Sequence, residues 1–220
     1  MKNYIIVVAG GSGLRMQSEI PKQFLNVSGK PILFHTLSRI NEFNPLLDII
    51  LVLPGSHIDY WKSLSQKNYF KIPHQIITGG ETRFHSVKNG LEKVTESGLV
   101  AIHDGVRPLV SKETIERVFR KAEKDGNAIP VVRIAESLRR VTEEKSIAVD
   151  RNDLRIIQTP QCFRSDIIKR AYQQEYREEF TDDASLVENM GIRINLVEGN
   201  AENIKITRPS DIMIAEALLK

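Results

Sequence analysis

The feature that most constrains this chain is a short apolar run, Tyr4–Ala9, that passes directly into Gly10-Gly11-Ser12-Gly13. A β-branched run of this length predicts a buried strand. Glycines at the end of a strand let backbone N–H groups approach an anion with no Cβ in the way. Arg15 and Lys22 follow and add positive side chains. The segment therefore predicts a strand that leads into a phosphate-binding loop.

Two common nucleotide-binding patterns do not fit this loop. A dinucleotide fingerprint, G-x-G-x-x-G, that begins at Gly11 meets Met16 where the third glycine belongs, and the pattern G-x-x-x-x-G-K-[ST] is missing from the chain. The alternative for Arg15 and Lys22 is ordinary solvated charge, but their position after a glycine loop favours triphosphate binding. We expect both side chains to stabilise charge on a transferring phosphoryl group.

Short β-branched runs alternate with helical patterns along most of the chain. This alternation predicts an α/β fold with a doubly wound, mostly parallel sheet. The loops at Gly10, Gly79-Gly80 and Asp104-Gly105 each follow a predicted strand, so we expect them to converge on one site. The predicted strands are Tyr4–Ala9, Asp48–Leu53, His74–Thr78, Leu99–His103 and Ile192–Val197, followed by an extended segment Ile204–Thr207; the predicted helices are Pro31–Phe43, Ser111–Lys124, Ser165–Arg177, Asp183–Met190 and Pro209–Leu219.

Composition excludes several classes of protein. The 220 residues fit one domain, and the net charge of +3 is too small and too dispersed for a dedicated nucleic-acid binder. No apolar run is long enough to span a membrane, and no signal-peptide pattern begins the chain, so we expect a cytoplasmic protein without membrane contact. Cys162 is the single cysteine, and the five histidines show no metal-binding spacing. A protein-caged metal is therefore not expected.

The region between Ala128 and Gln158 departs from the alternation. It holds short extended stretches, Ile129–Val132, Ser137–Val141 and Ile147–Val149, with no helix between them. We interpret residues 133–153 as a protruding β-arm on a single domain of residues 1–220. An exposed hairpin is marginal alone and leaves strand edges unpaired, so we expect it to pair with a second subunit in a homodimer.

Two further loops carry groups suited to binding. Gly80, Arg83 and Ser86 follow a predicted strand and begin a helix, where they can contact a base or a sugar; the alternative is a plain helix start capped by Thr82. His103-Asp104-Gly105-Val106-Arg107-Pro108 brings a carboxylate and a guanidinium to the end of a buried strand. The alternative there is a local ion pair that closes a turn. We expect His103 to be a satisfied, partly buried residue and not a base.

A last set of candidates is scattered through the second half of the chain. Lys205 lies inside an apolar segment that we predict to be a strand, which favours an anion site. Thr181, ahead of Asp182 and Asp183, is either a ligand or the cap of the next helix. Asp150-Arg151 and Thr159-Pro160-Gln161 complete the set.

Taken in order, these motifs resemble those of the 2-C-methyl-D-erythritol 4-phosphate cytidylyltransferase family over essentially the whole chain. The strings are A-G-G-S-G-L-R-M, P-K-Q, G-G-E-T-R-F-H-S-V, H-D-G-V-R-P, V-D-R, Q-T-P-Q, T-D-D-A-S and N-I-K-I-T-R-P. The resemblance implies a Rossmann-like nucleotidyltransferase fold with a dimerising arm. It also implies transfer of a cytidylyl group from CTP to methylerythritol phosphate, with pyrophosphate released, in nonmevalonate isoprenoid biosynthesis.

The resemblance assigns a role to each matching residue. Arg15, Lys22 and Lys205 are catalytic cations around the triphosphate, and Mg²⁺ or another divalent cation bridges the CTP phosphates without a dedicated protein ligand. Arg151 and Thr181 act together with the second subunit. The cytidine pocket comprises Ala9, Gly10, Gly80, Arg83 and Ser86, and Gly11 and Gly13 complete the CTP-binding residues. The acceptor contacts are Asp104, Arg107, Arg151, Thr181 and Lys205.

Three alternatives remain at this point. Ribitol-5-phosphate cytidylyltransferases carry out the same reaction on a linear pentitol phosphate; the strings V-D-R-N and N-I-K-I-T-R-P favour methylerythritol. A nonenzymatic nucleotide-sensing module of this fold predicts the loss of a phosphate-neutralising residue, yet Arg15, Lys22 and Lys205 are present. An NAD-linked oxidoreductase requires an acidic residue at the end of the second strand, where this chain has Leu53-Pro54. H-D-G-V-R-P also departs from the family's H-D-A-A-R-P, and Ala135–Arg139 from its R-D-T-hydrophobic-K.

Overall fold

The computed structural model describes residues 2–10 and 20–219. Strands and helices alternate through the first half of the chain, as the sequence predicts. The strands are β1 (Lys2–Val8), β2 (Asn26–Val27), β3 (Lys30–Pro31), β4 (Asp48–Leu53), β5 (Gln75–Thr78), β6 (Gly98–Asp104), β7 (Asn127–Arg133), β8 (Leu138–Val141), β9 (Ser146–Val149), β10 (Arg155–Ile157), β11 (Gln161–Arg164) and β12 (Leu196–Glu198). The helices are α1 (Ile32–Phe43), α2 (Gly55–Lys67), α3 (Arg83–Leu91), α4 (Lys112–Asp125), α5 (Ser165–Ala171), α6 (Asp183–Glu188) and α7 (Pro209–Leu218).

The central sheet has the order β10-β7-β11-β6-β1-β4-β5, with β12 paired to β7. Strands β6, β1, β4 and β5 are mutually parallel, while β11 and β10 run antiparallel to their neighbours. This mostly parallel sheet confirms the predicted α/β fold class. The sequence did not predict β10 or β11, which join the sheet in the region that departs from the alternation.

Both faces of the sheet are covered by helices. In β1, Ile5 and Val7 point into one core with α1 and α4, and Tyr4 and Ile6 point into the other with α3 and α5. Strand β6 is buried along its whole length, as expected for a parallel strand between two helical layers. No helix within residues 2–10 and 20–219 is long and apolar enough to cross a membrane.

The carboxyl ends of the parallel strands are tied together beyond the strands themselves. Backbone N–H groups of Ala9, Gly79 and Gly105 donate to carbonyls of the neighbouring strands β4 and β1, at 3.0, 2.8 and 2.9 Å respectively. The three loops therefore start from fixed positions at one edge of the sheet, beside the point where the strand order reverses.

The predicted arm contains the hairpin β8–β9, whose strands pair only with each other among the described residues. Its side chains are mostly exposed, including Val141 at 73% and Ile147 at 48%. An isolated two-stranded hairpin with exposed apolar groups is marginal in water. This geometry is consistent with a pairing element, and the dimer itself stays a prediction.

Two predicted elements are shorter in the structure. Helix α5 ends at Ala171 and not at Arg177, because Tyr172 leaves the helix to stack on Phe84, with ring centroids 4.8 Å apart. The strand predicted over Ile192–Val197 is reduced to Leu196–Glu198. The side-chain amide of Asn127 donates to the Arg193 carbonyl and accepts from the Asn195 N–H. These side-chain hydrogen bonds take the place of the backbone bonds that would begin the predicted strand.

One prediction near the site is wrong, and one of two alternatives for Thr181 is excluded. Lys205 does not lie in a strand: Ile204–Thr207 is irregular and joins Val106 through one backbone bond from Ile206 N, at 2.9 Å. Thr181 does not cap the next helix either. Asp182 does so, through a 3.0 Å bond from the N–H of Ser185 to its carboxylate.

His103 holds the turn at the end of β6. Its Nε2 lies 3.2 Å from the Arg107 carbonyl, which can only accept, so Nε2 carries the ring proton and donates it. Nδ1 of the neutral ring therefore accepts from Thr159 Oγ1 at 2.9 Å, and the same hydroxyl oxygen accepts the Asp104 N–H at 3.0 Å. Burial lowers the pKa of His103 from 6.5 to about 4. His103 is a satisfied residue as predicted, but it is fully buried.

This neutral histidine makes stability depend on pH. Its pKa is lower in the folded chain than in the unfolded chain, so the unfolded state binds more protons between the two values and stability falls as pH falls. Because of His103, we expect the free energy of unfolding to fall by about 2 kcal/mol when the pH is lowered from about 7 to about 5. Urea unfolding of the wild type and His103→Gln at both pH values measures this. Equal pH dependence in the two proteins would contradict the assignment.

Candidate active site

A cavity of about 180 Å³ opens at the carboxyl ends of the parallel strands. All three predicted loops contribute to its wall, which confirms that they converge. Its lining residues are Val8, Ala9, Gly10, Lys22, Gln23, Gly80, Glu81, Thr82, Arg83, Ser86, Asp104, Val106 and Lys205.

The loop after β5 is built around a close contact between Gly80 and α3. A Cβ on Gly80 would lie 2.4 Å from the Cβ of His85, so no larger residue fits without moving the helix. The Gly80 N–H donates to Ser86 Oγ at 3.1 Å, and Thr82 caps α3 as the sequence predicts. The helix cap and the cavity wall are thus the same segment, so the cap does not exclude a binding role, which stays a prediction.

Asp104, the last residue of β6, is surrounded by cations. Its Oδ2 lies 3.0 Å from Lys205 Nζ and 3.1 Å from Arg107 Nε, and its Oδ1 lies 3.8 Å from Arg83 Nε. Burial alone raises the pKa of this carboxyl, but the charges of Arg83, Lys205 and Arg107 outweigh burial and hold the pKa well below its usual range. The local Asp104–Arg107 ion pair is present, but as part of a larger cluster.

A second cavity, of about 250 Å³, lies on the other side of this cluster. It shares Arg83, Asp104 and Lys205 with the first cavity, so these three side chains separate the two spaces. Its remaining wall consists of Arg107, Ile157, Gln158, Thr159, Gln161, Thr181 and Asp182.

Arg83 is held by the carboxylate of Asp183, which the sequence indicated only as a charge at the start of a helix. Its Nη1 and Nη2 donate to the two oxygens of Asp183, at 2.9 and 2.6 Å. The Tyr172 hydroxyl donates to Asp183 Oδ1 at 2.5 Å. Burial lowers the pKa of Arg83, but the charge of Asp183 outweighs it, so the pKa stays well above its usual value. The guanidinium is thus a permanent cation in a fixed orientation.

Most candidate residues that the structure describes reach one of these cavities. Arg151 does not: it lies exposed beyond β9, and its guanidinium contacts the Ala135 carbonyl of the same arm. Gly11, Gly13 and Arg15 lie outside the described residues. Ala9, Gly10, Lys22, Gly80, Arg83, Ser86, Asp104 and Lys205 line the first cavity, and Arg107 and Thr181 line the second.

Sequence reasoning missed Gln23, which lines the first cavity, and Tyr172, which bonds to Asp183 behind Arg83. Gln23 is fully buried, donates to the Ala9 carbonyl at 2.8 Å, and its Oε1 has no partner among the described residues. Its only sequence signal was its place in P-K-Q. Tyr172 gave no signal, because its segment was predicted to continue as helix. Thr159 and Gln161 were noted in the sequence and do line the second cavity.

The described residues contain no group of three acidic, histidine or cysteine side chains that could hold a metal ion. Asp104, the carboxylate shared by both cavities, is already engaged with three cations. Mg²⁺ at nucleotide sites is bound through few carboxylates plus substrate phosphates. These donors therefore fit a divalent cation that a phosphate ligand carries in, and do not fit a protein-held metal.

The arrangement suits a reaction between two anionic ligands. Each cavity has room for one ligand, and the shared cations Arg83 and Lys205 lie between the two spaces. Fixed cations in a partly water-excluded site stabilise charge that develops during transfer. The geometry thus supports group transfer between two phosphate-bearing molecules.

Comparisons with known proteins all point to one family. Residues 4–220 match the family model for 2-C-methyl-D-erythritol 4-phosphate cytidylyltransferase. Proteins of that name from Bacteroides thetaiotaomicron and Bacteroides fragilis are 52% identical over 219 residues, covering 100% of both chains, and 54% identical over 214 residues, covering 97% of this chain and 98% of the relative.

Solved structures agree with these relatives. The crystal structure of 4-diphosphocytidyl-2C-methyl-D-erythritol synthase from Anaerococcus prevotii matches with a TM-score of 0.84 at 29% identity, covering 99% of this chain and 96% of that one. The Thermus thermophilus 2-C-methyl-D-erythritol 4-phosphate cytidylyltransferase matches with a TM-score of 0.80 at 30% identity, covering 99% and 98%. The chain therefore belongs to the 2-C-methyl-D-erythritol 4-phosphate cytidylyltransferase family, which confirms the family and the enzyme class that its motifs predict.

Proposed function

We propose that this chain transfers the cytidylyl group of CTP to 2-C-methyl-D-erythritol 4-phosphate, giving 4-diphosphocytidyl-2-C-methyl-D-erythritol and pyrophosphate. The observation that carries the proposal is the pair of cavities separated by Arg83, Asp104 and Lys205. A bisubstrate transfer needs two adjoining binding spaces with positive charge where they meet. Family membership supports the identity of the two substrates.

CTP occupies the first cavity in this proposal. Ala9, Gly10, Gly80 and Ser86 line this space. Backbone and hydroxyl groups at such positions can distinguish cytosine from uracil because the exocyclic amine and O4 have opposite hydrogen-bonding roles. Lys22 lines the same cavity and would neutralise the triphosphate. Arg15, Gly11 and Gly13 keep their predicted role on the same loop.

Methylerythritol phosphate occupies the second cavity. Asp104 can accept a hydroxyl of the polyol, Thr181 can donate to it, and Arg107 supplies positive charge for the phosphate. All three line this space. Arg151 would complete the site from the arm of a second subunit, because within its own chain it lines neither cavity.

The transfer is an in-line displacement at the α-phosphorus of CTP. A phosphate oxygen of the acceptor forms the new P–O bond as the bond to the bridging oxygen of pyrophosphate breaks, and the electron pair leaves with pyrophosphate. The attacking phosphate is already ionised, so no general base is required. Lys22 and Lys205, with Arg15, would hold the negative charge that increases during the displacement.

A divalent cation, Mg²⁺ in the first instance, would enter with CTP. When bound to the phosphates it neutralises part of their charge and supports the departure of pyrophosphate. The lysines and arginines of the protein would stabilise the negative charge that remains on the phosphates. The donor set supports this division, since the carboxylate shared by the two cavities already has cationic partners.

The active form in this proposal is a cytoplasmic homodimer of single-domain subunits, without nucleic-acid or membrane partners. The exposed apolar residues of the hairpin β8–β9 support pairing with a second arm. The supply of CTP and of a phosphorylated polyol supports a cytoplasmic location.

The direct test is release of pyrophosphate by purified protein with CTP and Mg²⁺. We expect release with methylerythritol phosphate and little with ribitol 5-phosphate. Release with ribitol 5-phosphate alone would keep the transfer chemistry and change the acceptor. Release with neither would contradict the proposed enzyme.

Removing one cation should depress turnover while the fold remains. We expect Lys205→Ala and Lys22→Ala each to lower kcat about 100-fold or more, because each removes fixed positive charge from the transfer site. Steady-state kinetics measures the loss, and thermal unfolding checks the fold. Lys67→Ala, at the exposed end of α2, is the matched control. Near-normal turnover in both site variants would contradict the assigned roles.

A charge on the arm should separate the subunits. In the hairpin, Val141→Asp places a carboxylate on an apolar surface that we expect to be buried between arms. Light scattering should then give about half the wild-type molar mass, and activity should fall because Arg151 no longer reaches the partner's cavity. Leu46→Asp, at a residue 86% exposed and outside the arm, is the control. A wild type that is monomeric at assay concentration would contradict the dimer.

A further inference from the structure

The most completely buried charge outside the Asp104 cluster is the carboxylate of Asp183, which is 0% exposed. It accepts two bonds from Arg83, at 2.9 and 2.6 Å, and a third from the hydroxyl of Tyr172, at 2.5 Å. Tyr172 itself is 2% exposed. Neither Asp183 nor Tyr172 lines the two cavities that the ligands would occupy.

These bonds join two walls that are distant in the sequence. Arg83 is the first residue of α3 and follows the Gly79-Gly80 loop of the nucleotide cavity. Asp183 is the first residue of α6 and follows Thr181 and Asp182 of the acceptor cavity. One bidentate ion pair therefore sets the separation between the loop that would hold CTP and the loop that would hold the acceptor.

The pair also fixes how Arg83 faces the site. Both Nη groups donate to Asp183, so the Nε edge of the guanidinium faces Asp104, with Nε 3.8 Å from Oδ1. A bidentate guanidinium–carboxylate pair has one preferred geometry, and a buried pair is retained only when its remaining lone pairs are satisfied. The Tyr172 hydroxyl supplies one of those bonds. The orientation of Arg83 thus depends on both partners.

We propose that Asp183 and Tyr172 are positioning residues for the transfer reaction, which hold Arg83 between the two cavities and thereby align the acceptor with the nucleotide. The inference rests on the proposed function. In-line attack requires the reacting atoms to be about 3–3.5 Å apart, and an error of about 1 Å costs about 100-fold in rate. A loosened pair would widen that distance while the lining residues other than Arg83 stay in place.

The experiment compares Asp183→Asn and Tyr172→Phe with the wild type. The first keeps the shape of the side chain and removes its charge, and the second removes only the hydroxyl. Tyr4→Phe is the matched control: Tyr4 is 3% exposed, and its hydroxyl accepts a partly buried hydrogen bond from the Glu96 N–H at 3.2 Å, away from both cavities. For each protein, kcat and the KM of both substrates are measured well below the unfolding temperature.

We expect kcat to fall about 100-fold in Asp183→Asn and about 10-fold in Tyr172→Phe, with the KM for CTP within about twofold of the wild type. Tyr4→Phe should lose stability but keep its kcat. A purely structural role predicts lower unfolding temperatures and unchanged kcat in all three variants, and that result would overturn the inference.

Four further outcomes are also decisive. A rise in KM with unchanged kcat would mean that the pair serves binding and not alignment. If Asp183→Asn fails to fold, the kcat of Tyr172→Phe decides alone. Wild-type protein that releases no pyrophosphate would contradict the proposed function together with this inference, whereas an active wild type and an unchanged Tyr172→Phe would contradict the inference only.

Discussion

Asp104 allows two cavities lined with cations to exist in one folded chain. Lys205, Arg107 and Arg83 converge at the end of β6, and without a carboxylate among them their charges would repel each other in a partly buried space. Asp104 offsets that repulsion when no ligand is bound. Because it does so from the end of a fully buried strand, its position is set by the sheet and not by a mobile loop.

The same cluster explains how the site can be stable and still bind anions. A buried ion pair loses much of its Coulomb energy to desolvation, so the cluster adds little net stability. In the proposed reaction, the cluster acts by orienting its charged side chains towards the ligands. Lys205 is 41% exposed in its side chain whereas Asp104 is 9% exposed, so the lysine can turn towards an incoming phosphate while the carboxylate remains with Arg107. Preorganised charge of this kind needs little rearrangement when the transition state forms.

How well the sequence predicts an element depends on whether the contacts that shape it are local or distant in the sequence. The parallel strands were predicted well because their signals are local: an apolar run, a glycine at its end and a helix that follows. Asp48–Leu53 agrees with β4 residue for residue. Strand Ile192–Val197 was predicted too long because Asn127, far away in the sequence, bonds its backbone. The irregular segment Ile204–Thr207 has the apolar pattern of a strand. Among the described residues, however, it is joined to Val106 by a single backbone hydrogen bond, from Ile206 N.

The site follows the same division between local and distant causes. Gly80, Asp104 and Arg107 were found because each stands directly after a strand, where an open α/β sheet binds its ligands. Asp183 was seen only as a charge at the start of a helix, since its partner Arg83 lies 100 residues away. Tyr172 was hidden by a helical pattern, and its departure from that helix is what brings its hydroxyl to Asp183. Several residues that line the cavities thus lie directly after strands, where a local pattern marks them. Asp183 and Tyr172 come together through tertiary packing, which no local pattern of a single sequence encodes.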